Sequence, residues 1–248
     1  YFLQKNEYEI ALNKSKKISE RAETLLSRRG KILDKNLVIL AEDIPAYEIG
    51  VQVNDFSFNP SDILAISNIL LFNLEKLKNK LSNKNIKYIV VSHNASQDQL
   101  DKINKLKISG IRNIAKYKRS YPEGKIMSQV IGLTDFNNNG QEGIELSINK
   151  KLSGINGKKK FIRTKKGKVI DSEIEAAING QDIVTTIDSK IQYLVYEELK
   201  EAVNFYKASS ASAILINLKN RNILAMANYP SFDPNNRRSM DASLLANR

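Results

Sequence analysis

Residues 119–124 read Arg-Ser-Tyr-Pro-Glu-Gly, and residues 140–145 read Gly-Gln-Glu-Gly-Ile-Glu. Residues 29–36 form a third stretch of the same kind, Arg-Gly-Lys-Ile-Leu-Asp-Lys-Asn. Each stretch combines glycine, which suits tight turns, with charged residues. The charges are of both signs in 29–36 and 119–124, and are carboxylates only in 140–145. We call them box 1 (29–36), box 2 (119–124) and box 3 (140–145). Their composition predicts fixed backbone turns at three distant points of the chain.

The charged residues of the boxes have the chemistry of a paired cluster. Hydrogen bonds between Arg and a carboxylate are stronger than neutral ones. We therefore expect Arg29, Arg119 and Glu145 to converge with partial burial, and Asp34 to form an ion pair near the turn of box 1. The candidate turn glycines, which we expect at positive φ, are Gly30, Gly124, Gly140 and Gly143. Two interpretations stay open: a structural cluster that ties distant segments together, and direct contact with a substrate.

The composition excludes several classes of site. The 248 residues include 42% hydrophobic and 27% charged residues, which fits a globular protein with a core. With no Cys, the chain cannot use thiolate catalysis, Cys-bound zinc or disulfides. It has one His, His93, whereas a zinc site usually needs several His or Cys ligands. We predict no metal and no cofactor.

The chain begins with an amphipathic pattern and continues with strand patterns. Apolar spacing over residues 8–26 predicts a helix. Residues 31–41 predict a hairpin that turns at residues 34–36, and residues 46–53 predict a further strand.

The middle of the chain predicts a small α+β subdomain at about residues 55–117. Asn59 as N-cap and Pro60 at the first helical position start a helix that we expect to run to about Leu81. Ser96 and Gln99 form a capping box. The other predicted elements are a strand at 86–91, a helix from Ser96 to about Lys107, and a strand at 111–117.

The last third of the chain alternates strands and helices. The glycines of box 3 and Gly154 bracket a helix that we predict at residues 144–152. Asp188 is an N-cap for a helix with Ile191, Leu194 and Val203 on its apolar face. The other predicted elements are a hairpin at 161–170, a strand at 182–187, and a hairpin formed by 212–218 and 222–229.

The three boxes, in this order, resemble the motifs of class B penicillin-binding proteins. Box 1 is similar to the first motif of that family, although Lys35 stands where the family favours Arg and Leu37 where it favours Gly. Box 2, with Tyr121 and Pro122, resembles the second motif, and box 3 resembles the third. Because the boxes follow the order of the family's motifs, the resemblance is stronger than any one box would make it.

The resemblance continues beyond the boxes. Residues 186–192 and 211–234 are similar to the first elements of the family's transpeptidase domain. Residues 225–228 and 234–236 are especially similar to the division-specific subgroup. The resemblance therefore spans essentially the whole chain.

The resemblance implies an α+β fold. Residues 1–177 would form an elongated pedestal, or dimerisation domain, that contains the subdomain at about 55–117. Residues 178–248 would form the first strands and helix of a truncated transpeptidase domain.

The resemblance also implies a role for the longer parent protein. The parent would be a serine-type D-Ala-D-Ala transpeptidase that cross-links septal peptidoglycan, and it would bind β-lactams. It would lie on the periplasmic side of the bacterial inner membrane, anchored by a helix upstream of Tyr1. The pedestal would bind a membrane glycosyltransferase and other division-complex proteins, whereas stem peptides and β-lactams would bind the catalytic domain. No nucleic acid is expected among the partners.

The family's nucleophile is a serine three residues before a lysine. This chain has one such spacing, from Ser147 to Lys150, within the predicted box 3 helix. In relatives the reactive motif follows the Asn-Arg pair that corresponds to Asn247 and Arg248. We therefore interpret Ser147 as a chance match and expect no catalytic residue in this chain, with a hydrolase that uses Ser147 as one alternative.

A second alternative follows from charge. The net charge is +12, and the densest basic run is Lys158–Lys168. Such a run could belong to an adaptor that binds anionic lipid or nucleic acid. A solvated hairpin is the simpler interpretation of the run, because no aromatic platform is interleaved with it beyond Phe161.

Overall fold

The computed structural model describes residues 20–57, 59–83, 85–163 and 169–236. The chain divides into two compact units, each built from two segments. Unit 1 comprises Tyr1–Gly30 and Lys150–Gln181, and unit 2 comprises Lys31–Asn149 and Asp182–Arg248. The domain boundary that the sequence places near residue 178 stays a prediction.

The described residues form the following elements. The strands are β1 (Glu20–Leu25), β2 (Ile32–Leu33), β3 (Ile39–Gln52), β4 (Tyr88–Ala95), β5 (Ile111–Ser120), β6 (Gly157–Arg163), β7 (Val169–Glu175), β8 (Ile183–Val184), β9 (Ala211–Ile216) and β10 (Ile223–Tyr229). The helices are α1 (Pro60–Leu70), α2 (Leu74–Leu81), α3 (Gln97–Lys105), α4 (Ser128–Ile131), α5 (Gly143–Ser147), α6 (Asn149–Leu152) and α7 (Ser189–Tyr206). The predicted α+β class is confirmed.

Unit 1 contains an antiparallel sheet with the strand order β1-β6-β7. The end of the predicted helix at 8–26 is wrong, because residues 20–25 pair with β6 as a strand. Residues 8–19 of that prediction lie outside the described residues. The hairpin predicted at 161–170 corresponds to β6 and β7, with its turn at 164–168 also outside the described residues.

Unit 2 is organised around β3, a strand of 14 residues. β3 pairs antiparallel with β4 and with β5. Alternate residues of a strand face opposite sides of its sheet. Ile49 and Val51 of β3 face a cluster of buried side chains that includes Ile66 of α1, Leu77 of α2 and Ile103 of α3. The three helices therefore cover one face of this sheet.

The helix predicted from Pro60 to about Leu81 is two helices. Leu71 ends α1 in the left-handed conformation, with φ of 52°. Asn73 then begins α2, because its side-chain oxygen accepts a hydrogen bond from the N–H of Lys76. Both N-caps of α1 and α3 are as predicted: Asn59 accepts from Ser61, and Ser96 forms its capping box with Gln99.

The box 3 helix predicted at 144–152 is also divided. α5 ends at Ser147, and Ile148 leaves the helical conformation before α6 begins at Asn149. The strand predicted at 182–187 is confined to Ile183–Val184, which pairs in parallel with β2.

The predicted Asp188 cap of α7 is confirmed, since its carboxylate accepts hydrogen bonds from the N–H groups of Lys190 and Ile191. The predicted apolar face of α7 is wrong in one position. Leu194 is 61% exposed, and the helix buries Gln192, Tyr196 and Val203. The hairpin that follows is β9 and β10, as predicted.

The turn of box 1 has an unfavourable backbone conformation. Leu37 has φ of 66°, and its N–H donates to the carbonyl of Asp34. A left-handed conformation costs an L-residue about 1–2 kcal/mol because Cβ crowds the following carbonyl. The Leu37 side chain is 66% exposed, so packing returns little of this energy.

We expect Leu37→Gly to raise the free energy of unfolding by up to about 1 kcal/mol. Glycine removes the strain, and its greater freedom in the unfolded chain offsets about 0.5–1 kcal/mol of that gain. Urea denaturation of the two proteins measures the difference. Leu37→Ala is the matched control, because alanine keeps the strain and should not stabilise. Destabilisation by Leu37→Gly would contradict this interpretation of the turn.

Candidate functional site

Asp34 of box 1 is a fully buried carboxylate that organises its own turn. One of its oxygens, Oδ1, accepts hydrogen bonds from the N–H groups of Asn36 and Val38, at 2.7 and 2.9 Å. These bonds replace water around the charge, so the turn is built around the carboxylate. Box 1 therefore needs an acid at position 34 to accept the hydrogen bonds of its own turn.

The second oxygen of Asp34 binds the start of α7. Oδ2 accepts from the N–H of Ser189 at 3.2 Å and from its hydroxyl at 2.8 Å. Ser189 is the first residue of α7. A helix N-terminus has unpaired N–H groups and a partial positive charge, which favour a carboxylate. Asp34 thus fixes the start of a helix that lies 155 residues away in sequence.

Burial by itself would raise the pKa of Asp34. The hydrogen bonds donated by Val38, Ser189 and Asn36 outweigh it and hold the pKa below its usual value of 3.8. The carboxylate therefore remains charged in the folded protein at neutral pH. Its partners among the described residues are N–H and hydroxyl groups, so the ion pair expected for Asp34 is wrong.

Lys35 provides a second link between box 1 and α7. Its Nζ lies 2.8 Å from Oδ2 of Asp188, the N-cap of α7. The hydrogen bond from Lys35 is the largest cause that lowers the pKa of Asp188, and the N–H groups of Ile191 and Lys190 act in the same direction. The resembling family favours Arg at position 35, but the side chain of Lys35 is also long enough to pair with the N-cap Asp188.

Boxes 2 and 3 meet at a buried ion pair. Nε of Arg119 donates to Oε1 of Glu145 at 2.7 Å, and both side chains are 0% exposed. Nη1 of Arg119 donates to Oδ1 of Asp43 on β3 at 3.3 Å. Asn138 also donates to both carboxylate oxygens of Asp43, at 3.1 Å each. One guanidinium therefore joins β5 to β3 and α5.

The backbone around box 3 leaves no room for larger side chains. A Cβ on Gly140 would lie 1.9 Å from the carbonyl oxygen of Glu145. Gly143 has φ of 58°, and a Cβ there would lie 2.6 Å from the N of Gly132. The expectation of positive φ is therefore right for Gly143 and wrong for Gly140, which is required by close backbone approach.

Box 2 is bonded to the end of the described chain. The N–H of Tyr121 donates to Oδ1 of Asn235 at 3.1 Å, and Nδ2 of Asn235 donates back to the Tyr121 carbonyl at 2.8 Å. The ring of Tyr121 is buried, and its hydroxyl accepts from the N–H of Thr134 at 3.0 Å. Pro122 is exposed, and Gly124 has φ of 50°, as expected for a turn. Tyr121 thus bonds box 2 to two other segments, through its backbone to Asn235 and through its hydroxyl to Thr134.

Gln192 of α7 forms a second link of this kind. It is fully buried, and its Nε2 donates to the carbonyls of Ile126 and Met226, at 2.9 Å each. Its Oε1 accepts from the N–H of Met226 at 2.8 Å. Ser231 donates to the carbonyl of Lys125 at 2.8 Å in the same region. Three segments are therefore joined through backbone groups.

Arg29 and Gly30 belong to unit 1. Nη1 of Arg29 donates to the hydroxyl of Ser153 at 3.0 Å, and the side chain is buried. The N–H of Gly30 donates to the carbonyl of Leu152 at 2.9 Å. The expectation of positive φ is wrong for Gly30, which is not one of the glycines with positive φ. The convergence of Arg29 with Arg119 and Glu145 stays a prediction.

The candidate list from the sequence omitted Asp43, Gln192 and Asn235. Asp43 lies within a strand, where a carboxylate usually faces solvent, and only its tertiary partners explain its position. Gln192 lies on a helix among apolar residues, which is a detectable signal, since an amide at a buried position needs hydrogen-bond partners.

Ser147 has a local explanation. Its hydroxyl donates to the carbonyl of Ile144 at 3.3 Å, and the residue is exposed. Because the helix breaks at Ile148, Ser147 and Lys150 do not share a continuous helical turn. Among the described residues, no three His, Asp or Glu side chains are grouped to hold a metal ion. In the same part of the chain, no helix has the length and hydropathy of a membrane span.

We expect Glu145→Ala to lower the free energy of unfolding by about 3–5 kcal/mol, because the buried guanidinium of Arg119 loses the carboxylate that lies 2.7 Å from its Nε. In a chain of this size, this corresponds to a fall in Tm of roughly 6–20 °C. Differential scanning calorimetry measures it.

Glu75→Ala is the control for this prediction, because the Glu75–Lys78 pair is exposed. It should change stability by less than about 1 kcal/mol. Equal, small effects of the two substitutions would show that the buried pair does not stabilise the fold.

Asp34→Asn should destabilise the protein by about 1.5–3 kcal/mol at pH 7, since it weakens hydrogen bonds to a charged group. Because the pKa of Asp34 is depressed by folding, its contribution is present above the unfolded pKa and is lost as pH falls through the folded pKa. The difference between wild type and variant should therefore shrink below about pH 4.

Urea denaturation at a series of pH values measures this difference. The control is Asp98→Asn, at an exposed carboxylate on α3 that pairs with Lys102. It should have little effect at pH 7. A wild-type advantage over Asp34→Asn that is unchanged at pH 3 would contradict the role given to the Asp34 charge.

Comparison with known proteins agrees with the arrangement of the boxes. Residues 24–185 match the family model of the penicillin-binding protein dimerisation domain. Peptidoglycan D,D-transpeptidase FtsI of Buchnera aphidicola subsp. Schizaphis graminum is 36% identical over 236 residues, which cover 92% of this chain and 41% of the relative. FtsI of Escherichia coli K12 is 32% identical, covering 93% of this chain and 40% of the relative. Probable transpeptidase PenA of Neisseria meningitidis serogroup A is 31% identical, covering 92% and 40%.

Solved structures show the same fold. A peptidoglycan synthetase from Bifidobacterium adolescentis aligns with a TM-score of 0.56 and 25% identity, over 88% of this chain and 45% of that one. Penicillin-binding protein 2X from Streptococcus thermophilus aligns with a TM-score of 0.56 and 23% identity, over 86% and 36%. The chain spans about 40% of the length of the curated relatives described above. It belongs to the penicillin-binding protein dimerisation-domain family and corresponds to the N-terminal portion of a class B penicillin-binding protein.

Proposed function

We propose that this chain is the non-catalytic N-terminal part of a septal peptidoglycan D,D-transpeptidase that acts in cell division. The observation that carries the proposal is the 36% identity to a peptidoglycan D,D-transpeptidase FtsI over 92% of the chain. The names of the relatives describe the activity of the whole proteins, of which this chain matches about 40%. The part proposed for this chain is to position the catalytic domain.

The hydrogen bonds of the boxes support a positioning role. Asp34 binds the start of α7, and Tyr121 binds Asn235 near the end of the described chain. Gln192 and Ser231 bond to backbone carbonyls just after box 2. Each of these bonds involves a backbone group, so it depends on how the segments are placed. We therefore assign them to holding the first elements of the transpeptidase domain in place.

Exposed apolar residues in residues 189–223 support the idea that this region is part of a larger domain. Phe205 is 79% exposed, Tyr206 76% and Leu218 90%, and Ile214 of β9 is 59% exposed. Large exposed apolar surfaces are uncommon unless another surface covers them. We propose that the catalytic remainder of the parent protein covers these residues.

Unit 1 offers a second apolar surface. Ile155 and Ile178 pair across a β-bridge and are 66% and 61% exposed, and Ile174 of β7 is 60% exposed. We propose that this surface binds the membrane glycosyltransferase of the division complex. The parent would then lie on the periplasmic side of the inner membrane, with its anchor upstream of residue 1.

The described part of the basic run does not favour an adaptor. Nζ of Lys160 lies 3.5 Å from Glu173 and 3.9 Å from Glu175, and Lys158 is opposite Glu175 in the register of β6 and β7. These carboxylates reduce the local positive potential that a polyanion would need. We therefore propose no second function for Lys158–Lys168.

Labelling with a fluorescent penicillin tests the proposed function. The 248-residue chain should remain unlabelled, whereas a longer chain that continues into the transpeptidase domain should label with one molecule per protein. Ser147→Ala in the longer chain should label equally well. Labelling of the 248-residue chain that disappears in Ser147→Ala, or a longer chain that does not label at all, would contradict the proposal.

A further inference from the structure

In the part of the chain that the structure describes, the helices that pack on the central sheet of unit 2 lie on one of its faces. The residues of β3 that point toward the helices are Tyr47, Ile49 and Val51, so the alternate positions point away. The register of the sheet places the neighbouring residues of β4 and β5 on the same side. We call this side the open face. Its members are Glu48 and Gly50 of β3, Tyr88, Val90 and His93 of β4, and Arg112, Ile114 and Lys116 of β5.

The open face carries a row of apolar and aromatic groups. Ile114 is 55% exposed and lies opposite Glu48 in the register. Nδ1 of His93 lies 3.2 Å from Oε2 of Glu48, so the Glu48 carboxylate is held by a neighbour. The ring of His93 stacks on Phe136, with centroids 5.3 Å apart, and Phe136 is 53% exposed. A band of exposed apolar surface therefore crosses the sheet from β5 to β4.

Tyr88 widens this surface. Its ring lies over Gly50, where an added Cβ would be 2.3 Å from its Cζ and from its hydroxyl oxygen. The Tyr88 hydroxyl is buried and has no hydrogen-bond partner among the described residues. Tyr88 is half-buried, so it adds its ring and not its hydroxyl to this surface.

β5 forms one border of the open face, and part of its backbone edge is available. Among the residues that the structure describes, β5 pairs only with β3. Residues 112–115 are exposed. An exposed strand edge is a template for a further strand. The edge at residues 111–115 and the apolar band adjoin each other at Ile114.

The charge of β5 restricts which strand could be added. Its sequence, Ile-Arg-Asn-Ile-Ala-Lys-Tyr-Lys-Arg-Ser, contains four cations and no acid. Arg119 is held by its buried ion pairs. Arg112, Lys116 and Lys118 lie at alternate positions on one face, where Arg112 pairs with Asp55 at 3.0 Å and Lys116 donates to the carbonyl of Phe136 at 3.2 Å. Because the Arg112–Asp55 pair is exposed to solvent, it is weak, and an acid of a partner can replace Asp55. A second copy of this chain would bring like charges together across the new strand pair, which is destabilising. The edge therefore excludes self-pairing and favours an acidic partner.

We propose that β5 is a docking edge for an extended acidic segment of another protein, which adds a strand beside residues 111–115. Cross-strand neighbours on one face recur at every second residue. The added strand would place an acid opposite Arg112 and an apolar residue opposite Ile114, and its next residue on that face would place an acid beside Lys116, one residue beyond the paired edge. The recognised pattern is therefore acid-x-apolar-x-acid. This inference rests on the sheet of unit 2 alone and is independent of the proposed transpeptidase activity.

A short capped peptide with the core Glu-Thr-Val-Thr-Glu tests the proposal. Its matched partner is the rearranged core Glu-Glu-Val-Thr-Thr, which has the same composition and charge without the alternation. We expect the first peptide to bind, and to protect the backbone amides of residues 111–115 from hydrogen exchange. The rearranged peptide should bind about tenfold more weakly and give no such protection.

Variants locate the binding on the edge. Ile114→Thr keeps a β-branched residue in the strand and should raise the Kd of the alternating peptide about fivefold to tenfold. Arg112→Gln should raise the Kd and reduce its dependence on salt. Lys102→Gln removes one positive charge in the same way, at an exposed position of α3. Because α3 lies on the opposite side of the sheet from the open face, this variant should leave the Kd unchanged.

Two results would overturn the proposal. One is equal binding of the two peptides, which would mean a cationic surface without strand pairing. The other is no exchange protection at residues 111–115 at a saturating concentration of the alternating peptide. Circular dichroism of each variant shows that the fold is intact, so that a lost interaction is assigned to the edge.

Discussion

The carboxylate of Asp34 is the constraint on which the arrangement of unit 2 depends. It is fully buried, and it accepts four hydrogen bonds, two from the turn of box 1 and two from Ser189. A buried charge is tolerated only when such bonds replace its hydration. Both the hairpin of β2 and β3 and the start of α7 are therefore fixed by one group. The parallel pairing of β2 with β8 lies beside it and has only two residue pairs, so it could not set this geometry alone.

The other boxes use the same principle with different groups. Arg119 satisfies Glu145 and Asp43 together, whereas the side chains of Asn235 and Gln192 bond to main-chain groups of distant segments, at Tyr121 and Met226. Buried polar groups carry a large penalty when a partner is missing, so they specify one arrangement more strictly than apolar packing does. This explains why the boxes combine charged residues with glycines. The glycines let the backbones approach, and the charged side chains hold them there.

Local patterns in the sequence predicted those features that depend on neighbouring residues. The caps at Asn59, Ser96 and Asp188 follow from side-chain oxygens placed just before helical segments. The hairpin of box 1 was predictable because Asp and Asn favour turns. Box 3 glycines were identified, but Gly140 for the wrong reason, since its requirement comes from the approach of Glu145.

Two of the failures come from contacts between distant residues, and one comes from a local backbone conformation. Residues 20–25 form a strand because β6, more than 130 residues later, pairs with them. The helix over 60–81 breaks because Leu71 accepts a left-handed conformation, which Leu propensity does not predict. On α7, the buried face contains Gln192 and Tyr196 in place of Leu194, because hydrogen bonds to Met226 and Ile126 decide the orientation. The sequence therefore identified the three boxes of the candidate site, but it did not identify Asp43, Gln192 and Asn235, which bond to them or close to them.

A double-mutant cycle between Asp34 and Ser189 tests the central claim most directly. The two single variants, Asp34→Asn and Ser189→Ala, and the double variant are compared by urea denaturation at pH 7. If the Asp34 carboxylate holds the start of α7, the effects should be non-additive, with a coupling energy of about 1–2 kcal/mol. Additive effects, within about 0.3 kcal/mol, would contradict the claim that this bond joins box 1 to the helix.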